Sequence, residues 1–261
     1  MSVIAFLGVF QHEVASLQLR KLVDAVRTKA DGECVVLCNA SGLFANAPRL
    51  DEQIELLFES GIDLVFPGEQ AIARGGARTA VAAARWPMVR PLNLPESSPG
   101  QGALLFDKLS EPFWVVSLLD GSGRIPVEPA HEALEVFFRN KKDKFPVLIN
   151  VHGSDSDYKK ALTWKYSGSG NLVCWFGSGA GSLSAACEIA ADGFFSQPEV
   201  GVVAFEKSIG GFAPDIWWQR KIDRLPVSTQ PGWGAWRCDY TLLWLDSNRK
   251  PQKFIYETLN V

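Results

Sequence analysis

Short apolar runs alternate with amphipathic stretches along this chain, which is the pattern of βα units rather than of an all-helical or all-strand domain. The spacing predicts strands at residues 3–7, 34–38, 63–66, 103–106, 113–119, 146–151, 171–176, 193–205 (broken at Pro198), 239–245 and 253–257. Helices are predicted over 16–29, with Ser16 as cap, over 51–60 after Pro48, and over 70–84 and 130–141. The first half therefore reads βαβα, and the second half is richer in strands. Proline and glycine cluster in PLNLPESSPGQG, residues 91–102, a connecting loop too short to link domains. With 47% hydrophobic and 21% charged residues, the chain is expected to form one large domain over 1–261.

Charge narrows the partner classes. The net charge is −3 and is spread without blocks, so nothing favours nucleic acid or an anionic membrane surface. The opening MSVIAF has neither a basic segment nor a small-residue cleavage site, and no apolar run approaches the roughly 18 residues of a spanning helix. A cytoplasmic location is the expectation. The five cysteines are an odd number, with no C-x-x-C and no histidine at metal spacing, as suits reduced thiols. Cys34 and Cys38, in CVVLC, share one face of a short strand and read as core.

In open α/β sheets the ligand site lies at the carboxyl ends of strands. The first strand, IAFLG, ends at Gly8, and the next residue, where a reactive group is expected, is Val9. Further motifs follow in order: VVLCNASG, LFESGIDLVFPGEQ, VRPLNLPESSPGQG, NVHGSDSDYKKALTW and LVCWFGSGAGSLSAACEI. In register over nearly the whole chain, these segments resemble the YmdB-like bacterial metallophosphoesterases, relatives of the calcineurin-like phosphoesterases. The most specific agreement lies in SGID, RPLNLP, SPGQG and VHG…KALTW. The resemblance implies a four-layer αββα sandwich with two mixed β-sheets, and a two-metal site at the strand mouths that cleaves phosphodiesters such as cyclic nucleotides.

The chain departs from that family at the residues the chemistry needs. Two-metal hydrolysis holds two divalent ions about 3.5–4 Å apart with carboxylate, amide and imidazole ligands. Where the family has Asp after the first glycine, this chain has Val9. The family's Asn-Gly-Glu-Asn becomes Asn39, Ala40, Ser41 and Gly42, and its Gly-Asn-His becomes Gly68, Glu69 and Gln70. The late His-x-His pair is Gly179, Ala180 and Gly181, which leaves His152 as the retained family ligand. Glu199 matches a family Asp, and Glu69 offers a carboxylate in place of an amide. Such losses imply a pseudoenzyme with no metal, cofactor or catalytic residue, acting as a scaffold or regulatory protein-binding subunit. The alternative is an altered phosphoesterase or a nucleotide-binding sensor that uses His152, Glu69, Gln70 and the glycine-rich loop.

Other features carry two readings each. GSGAGS, residues 177–182, is either a phosphate cradle of backbone N–H groups or a plain turn. SDSDY reads as the capped opening of a helix. His12 lies near the first strand mouth, and His131 near a helix start. Of nine tryptophans, Trp217, Trp218, Trp233, Trp236 and Trp244 fall in the last third of the chain, with Arg220 and Arg237 nearby. Trp217, Trp218, Arg220, Trp233 and Trp236 are the candidate interface for a protein partner or for self-association, since tryptophan and arginine are enriched at binding hot spots. The other reading packs these rings in the core of a sheet.

Overall fold

The structure is a computed structural model that describes residues 1–169, 171–181, 183–184, 186–190 and 193–261. Its first half runs β1 (Ser2–Leu7), β2 (Val9–Phe10), α1 (Ser16–Ala30), β3 (Glu33–Asn39), α2 (Ser41–Asn46), α3 (Leu50–Glu59), β4 (Leu64–Phe66), α4 (Gln70–Ala73) and α5 (Gly75–Ala82). There follow β5 (Ala103–Phe106), β6 (Phe113–Leu119), α6 (Ala130–Asn140), β7 (Val147–His152), α7 (Ser156–Tyr166) and β8 (Leu172–Ser178). The chain then continues through β9 (Glu188–Ile189), β10 (Phe195–Gln197), β11 (Val202–Phe212), α8 (Pro214–Lys221), β12 (Pro231–Leu245) and β13 (Pro251–Asn260).

The strands form two mixed sheets, in the orders β2-β11-β12-β1-β3-β4, with β13 also on β12, and β5-β6-β7-β8-β10-β9. The strands that open onto the site are parallel: β1 with β3, β3 with β4, β6 with β7 and β7 with β8. Each sheet is covered on both faces, so its central strands carry continuous apolar runs rather than a strict alternation, with polar residues such as Asn39, Asn150 and Asp239 set among them. In β1, Ile4 and Phe6 point into the space between the sheets, where they join Leu37, Phe66, Leu148 and Phe176. Val3, Ala5 and Leu7 point outward, to Leu19, Leu22, Val23 and Val26 of α1. On the far side, Ile149 and Val151 pack with Leu134 of α6 and Leu162 of α7. The layers are therefore helix, sheet, sheet, helix, as the family resemblance implied.

Several boundaries differ from expectation. Ser16 does not cap α1; it is the first helical residue, and extended Ala15 precedes it without a side-chain cap bond. The predicted helix over 70–84 is two helices, because Arg74 adopts an extended conformation (φ −123°, ψ 148°) between them. Candidate strand 193–205 splits at Pro198 into β10 and β11, in different sheets. Asp155 does cap α7, its carboxylate accepting from the Tyr158 amide at 2.9 Å. All five thiols are unpaired, and burial pushes the Cys34 thiol up to about 11. Among the described residues, no helix is long and apolar enough to cross a membrane.

Candidate functional site

The carboxyl ends of β3, β4, β7 and β8 bring Asn39, Gly68, His152 and Ser178 together. The Asn39 amide donates to Ser178 Oγ at 3.0 Å and lies 3.1 Å from Nδ1 of His152. Ser178 Oγ donates in turn to Asn150 Oδ1 at 3.0 Å, and the Ser41 amide donates to Asn39 Oδ1 at 2.9 Å. With an amide N–H as its neighbour, Nδ1 of His152 is the acceptor, and the proton of the neutral ring sits on Nε2. Burial, helped by the nearby Lys159 ammonium, pushes the His152 imidazole down to about 4, so it is neutral at pH 7.

Backbone fills the positions around this cluster. A Cβ at Gly68 would lie 2.8 Å from Ser41 Cβ and 3.0 Å from His152 Cδ2, and one at Gly179 would lie 2.9 Å from His152 Cε1. At Gly42 a Cβ would meet the Phe10 carbonyl oxygen at 2.5 Å. Val9 is buried and pairs in register with Val202 of β11. Glu69 and Gln70 are half-buried and bonded to each other at 3.2 Å, with the Glu69 carboxylate pressed against Gly123 in the loop after β6. Among the described residues, no group of three or more His, Cys, Asp or Glu is gathered as a metal site would require.

Beside the cluster lies a buried ion pair that sequence reasoning missed. Lys159, 1% exposed, donates to the carbonyls of Gly153 (2.7 Å) and Ser178 (2.9 Å) and to Glu199 Oε2 (3.3 Å). Glu199 also accepts from the amides of Gly179 (3.0 Å) and Ala180 (2.8 Å). Burial pushes the Glu199 carboxyl up, against the pull of Lys159 and the two amides. Two N–H groups of the glycine-rich turn are thus committed to this chain's own carboxylate. Gly181 follows at φ +83°, and Ser182 lies outside the described residues. A helix that opens on acidic SDSDY gives no sign that its lysine is interior; the partner is 40 residues away in sequence.

The tryptophans divide. Trp218 (55%) and Trp233 (52%) are exposed, as is Arg220, and Trp217 is half-buried. Trp236 lies in the core, its ring centroid 4.3 Å from that of Phe205, and Trp244 is buried with its indole N–H on the Ala30 carbonyl at 3.1 Å. His12 packs edge-on to Phe212, and His131 Nδ1 sits 3.3 Å from the Tyr158 hydroxyl.

A family model described as YmdB-like protein matches residues 14–256. The structure resembles that of a hypothetical protein from Thermus thermophilus at a TM-score of 0.84, with 23% identity over 99% of both chains. It also resembles a phosphatase from Mycoplasma pneumoniae at 0.86, with 19% identity over 99% of this chain and 93% of that one. A 5′-nucleotidase precursor, also from Thermus thermophilus, matches at 0.58, with 10% identity over 99% of this chain and 54% of the other. No curated protein matches. At these identities the structural likeness concerns the fold.

Proposed function

This chain belongs to the YmdB-like protein family, and from that premise we propose that it is a non-hydrolytic member acting as a scaffold or regulatory protein-binding subunit. What carries the reading is that the strand mouth is occupied by a neutral network, Asn39–Ser178–Asn150 with His152, while Val9 and Ser41 stand where the resemblance places the anionic ligands of two-metal chemistry. The metal pair that the family implies does not fit this donor set. The one retained imidazole is hydrogen-bonded through Nδ1, a valine and a hydroxyl stand at the positions of two carboxylates, and the Glu199 carboxylate is spent on Lys159 and two amides. At positions 42 and 179 a ligand side chain could not be added without moving the backbone or the His152 ring, whereas Gly181 faces open space.

The binding surface in this reading is built on the exposed Trp218, Arg220 and Trp233 with the half-buried Trp217, and Ile209, Ile222 and Leu225 add further exposed apolar side chains in the same stretch of the chain. Elemental analysis after incubation with manganese, iron or zinc tests the first half of the proposal, with a phosphodiester hydrolysis assay alongside. Less than one ion per chain and no metal-dependent turnover are expected; two tightly held ions with turnover overturn it. For the second half, Trp218→Ala with Trp233→Ala is expected to abolish self-association or partner capture. An unchanged assembly state and unchanged capture remove the interface.

A further inference from the structure

A cavity of about 710 Å³ lies on the helix side of the second sheet, away from the strand mouths, lined in part by the RPLNLP segment. Its walls are apolar on one side: Leu92, Leu94, Trp114, Val136 and Phe137. Arg90 lines it and is only 6% exposed. Its Nη1 donates to the neighbouring Pro91 carbonyl at 2.7 Å, while its Nε is buried without a partner. Among the described residues no Asp or Glu pairs with it. Burial presses the guanidinium pKa down with no anion to counter it.

Buried cations in proteins are ordinarily paired, because an uncompensated one costs several kcal/mol. The chain also makes room for this one. A Cβ at Gly102 would lie 3.1 Å from Arg90 Nη1 and 2.6 Å from Leu92 Cα, and Gly100, at φ +84°, passes beside the Arg90 stem. The two glycines of SPGQG therefore fit the loop over the Arg90 side chain. The remaining charges on the lining limit what can be bound. Lys141 is already paired with Asp143 at 2.7 Å and Lys142 with the Arg139 carbonyl at 2.9 Å, while Glu96 and Glu128 oppose a second negative charge.

We propose that this cavity binds a small monocarboxylate with an apolar body, the carboxylate on Arg90 and the body against Trp114, Phe137 and Leu94. Arginine suits the role because its planar fork matches a carboxylate. Calorimetric titration of the full chain with 3-phenylpropionate, 3-phenylpropionamide and phenyl phosphate tests it. The acid is expected to bind at least about tenfold more tightly than the neutral amide. Arg90→Lys, with the fold checked by circular dichroism, is expected to weaken the acid by about tenfold. Val136→Trp, which fills the cavity from a half-exposed helix position, is expected to abolish binding and leaves Arg90 untouched. Failure of the acid to bind, equal binding of acid and amide, or undiminished binding by the Val136 variant overturns the site. Tighter binding of phenyl phosphate overturns the monocarboxylate assignment.

Discussion

Gly179 lies so close to His152 that a Cβ on the glycine would stand 2.9 Å from the imidazole Cε1. The contact joins the end of β7 to the turn after β8, and it uses a backbone angle, φ +108°, that side-chain-bearing residues rarely adopt. The strand mouth is therefore closed by packing that a larger residue would disturb.

Restoring the family's histidine at this position should not restore a metal site. Gly179→His is expected to lower stability by about 2–3 kcal/mol, from backbone strain and overpacking, measured by urea denaturation. A variant as stable as the parent that also binds manganese overturns the close-packed account.

The Lys159–Glu199 pair should be costly to break on one side. Lys159→Met leaves a buried carboxylate without its cation and is expected to cost about 3–5 kcal/mol. Adding Glu199→Gln should recover a large part of that loss, which a double-mutant cycle reads directly. Additive losses in the cycle would mean that the two groups are not coupled.

His152 sets a pH window. Its folded pKa is depressed to about 4 from the ordinary 6.5, so between those values the unfolded chain holds the extra proton and stability falls as pH drops. The loss across the whole window is about 3–4 kcal/mol at most. Glu199, whose carboxyl is raised, acts in the opposite sense: its contribution grows as pH falls. Comparing the parent with His152→Gln from pH 7 to pH 4 isolates the histidine, and the variant should show the shallower decline. Parallel stability curves would show that His152 is not held neutral by burial.

Tryptophans of similar sequence context should separate by stability. Trp236→Ala removes a core ring packed on Phe205 and is expected to cost about 3–5 kcal/mol. Trp218→Ala, on the exposed face of α8, is expected to change stability by less than about 0.5 kcal/mol. Comparable thermal midpoints for the two variants contradict the burial assigned to them.

Much of the fold was legible because burial on both faces leaves a local mark. The apolar runs of β1, β3, β6 and β7 and the amphipathic spacing of α1, α3 and α6 need no long-range information. The missed features depend on neighbours remote in sequence. The first half of β12, GWGAW, reads as a loop until β11 pairs with it, whereas the break of the helix over 70–84 at Arg74 has a local mark in the Gly75-Gly76 pair that follows, which the helical spacing around it outweighed. At the site, the glycines and the valine could be read directly, but not the backbone of Phe10 against Gly42 or the carboxylate of Glu199 beneath Gly179 and Ala180.

By itself the sequence determined the principal βα units, the family and the residue types at the strand mouths, since hydrophobic period and motif order are local properties of the chain. The tertiary structure alone decided which of those residues meet. Packing two sheets face to face buried Lys159 beside Glu199, closed Gly68 and Gly179 around His152, and left Arg90 without an anion beside a cavity. Those outcomes depend on distances between segments far apart in the chain, and burial gives each charge its consequence because an interior cation or carboxylate has no water to replace a missing partner.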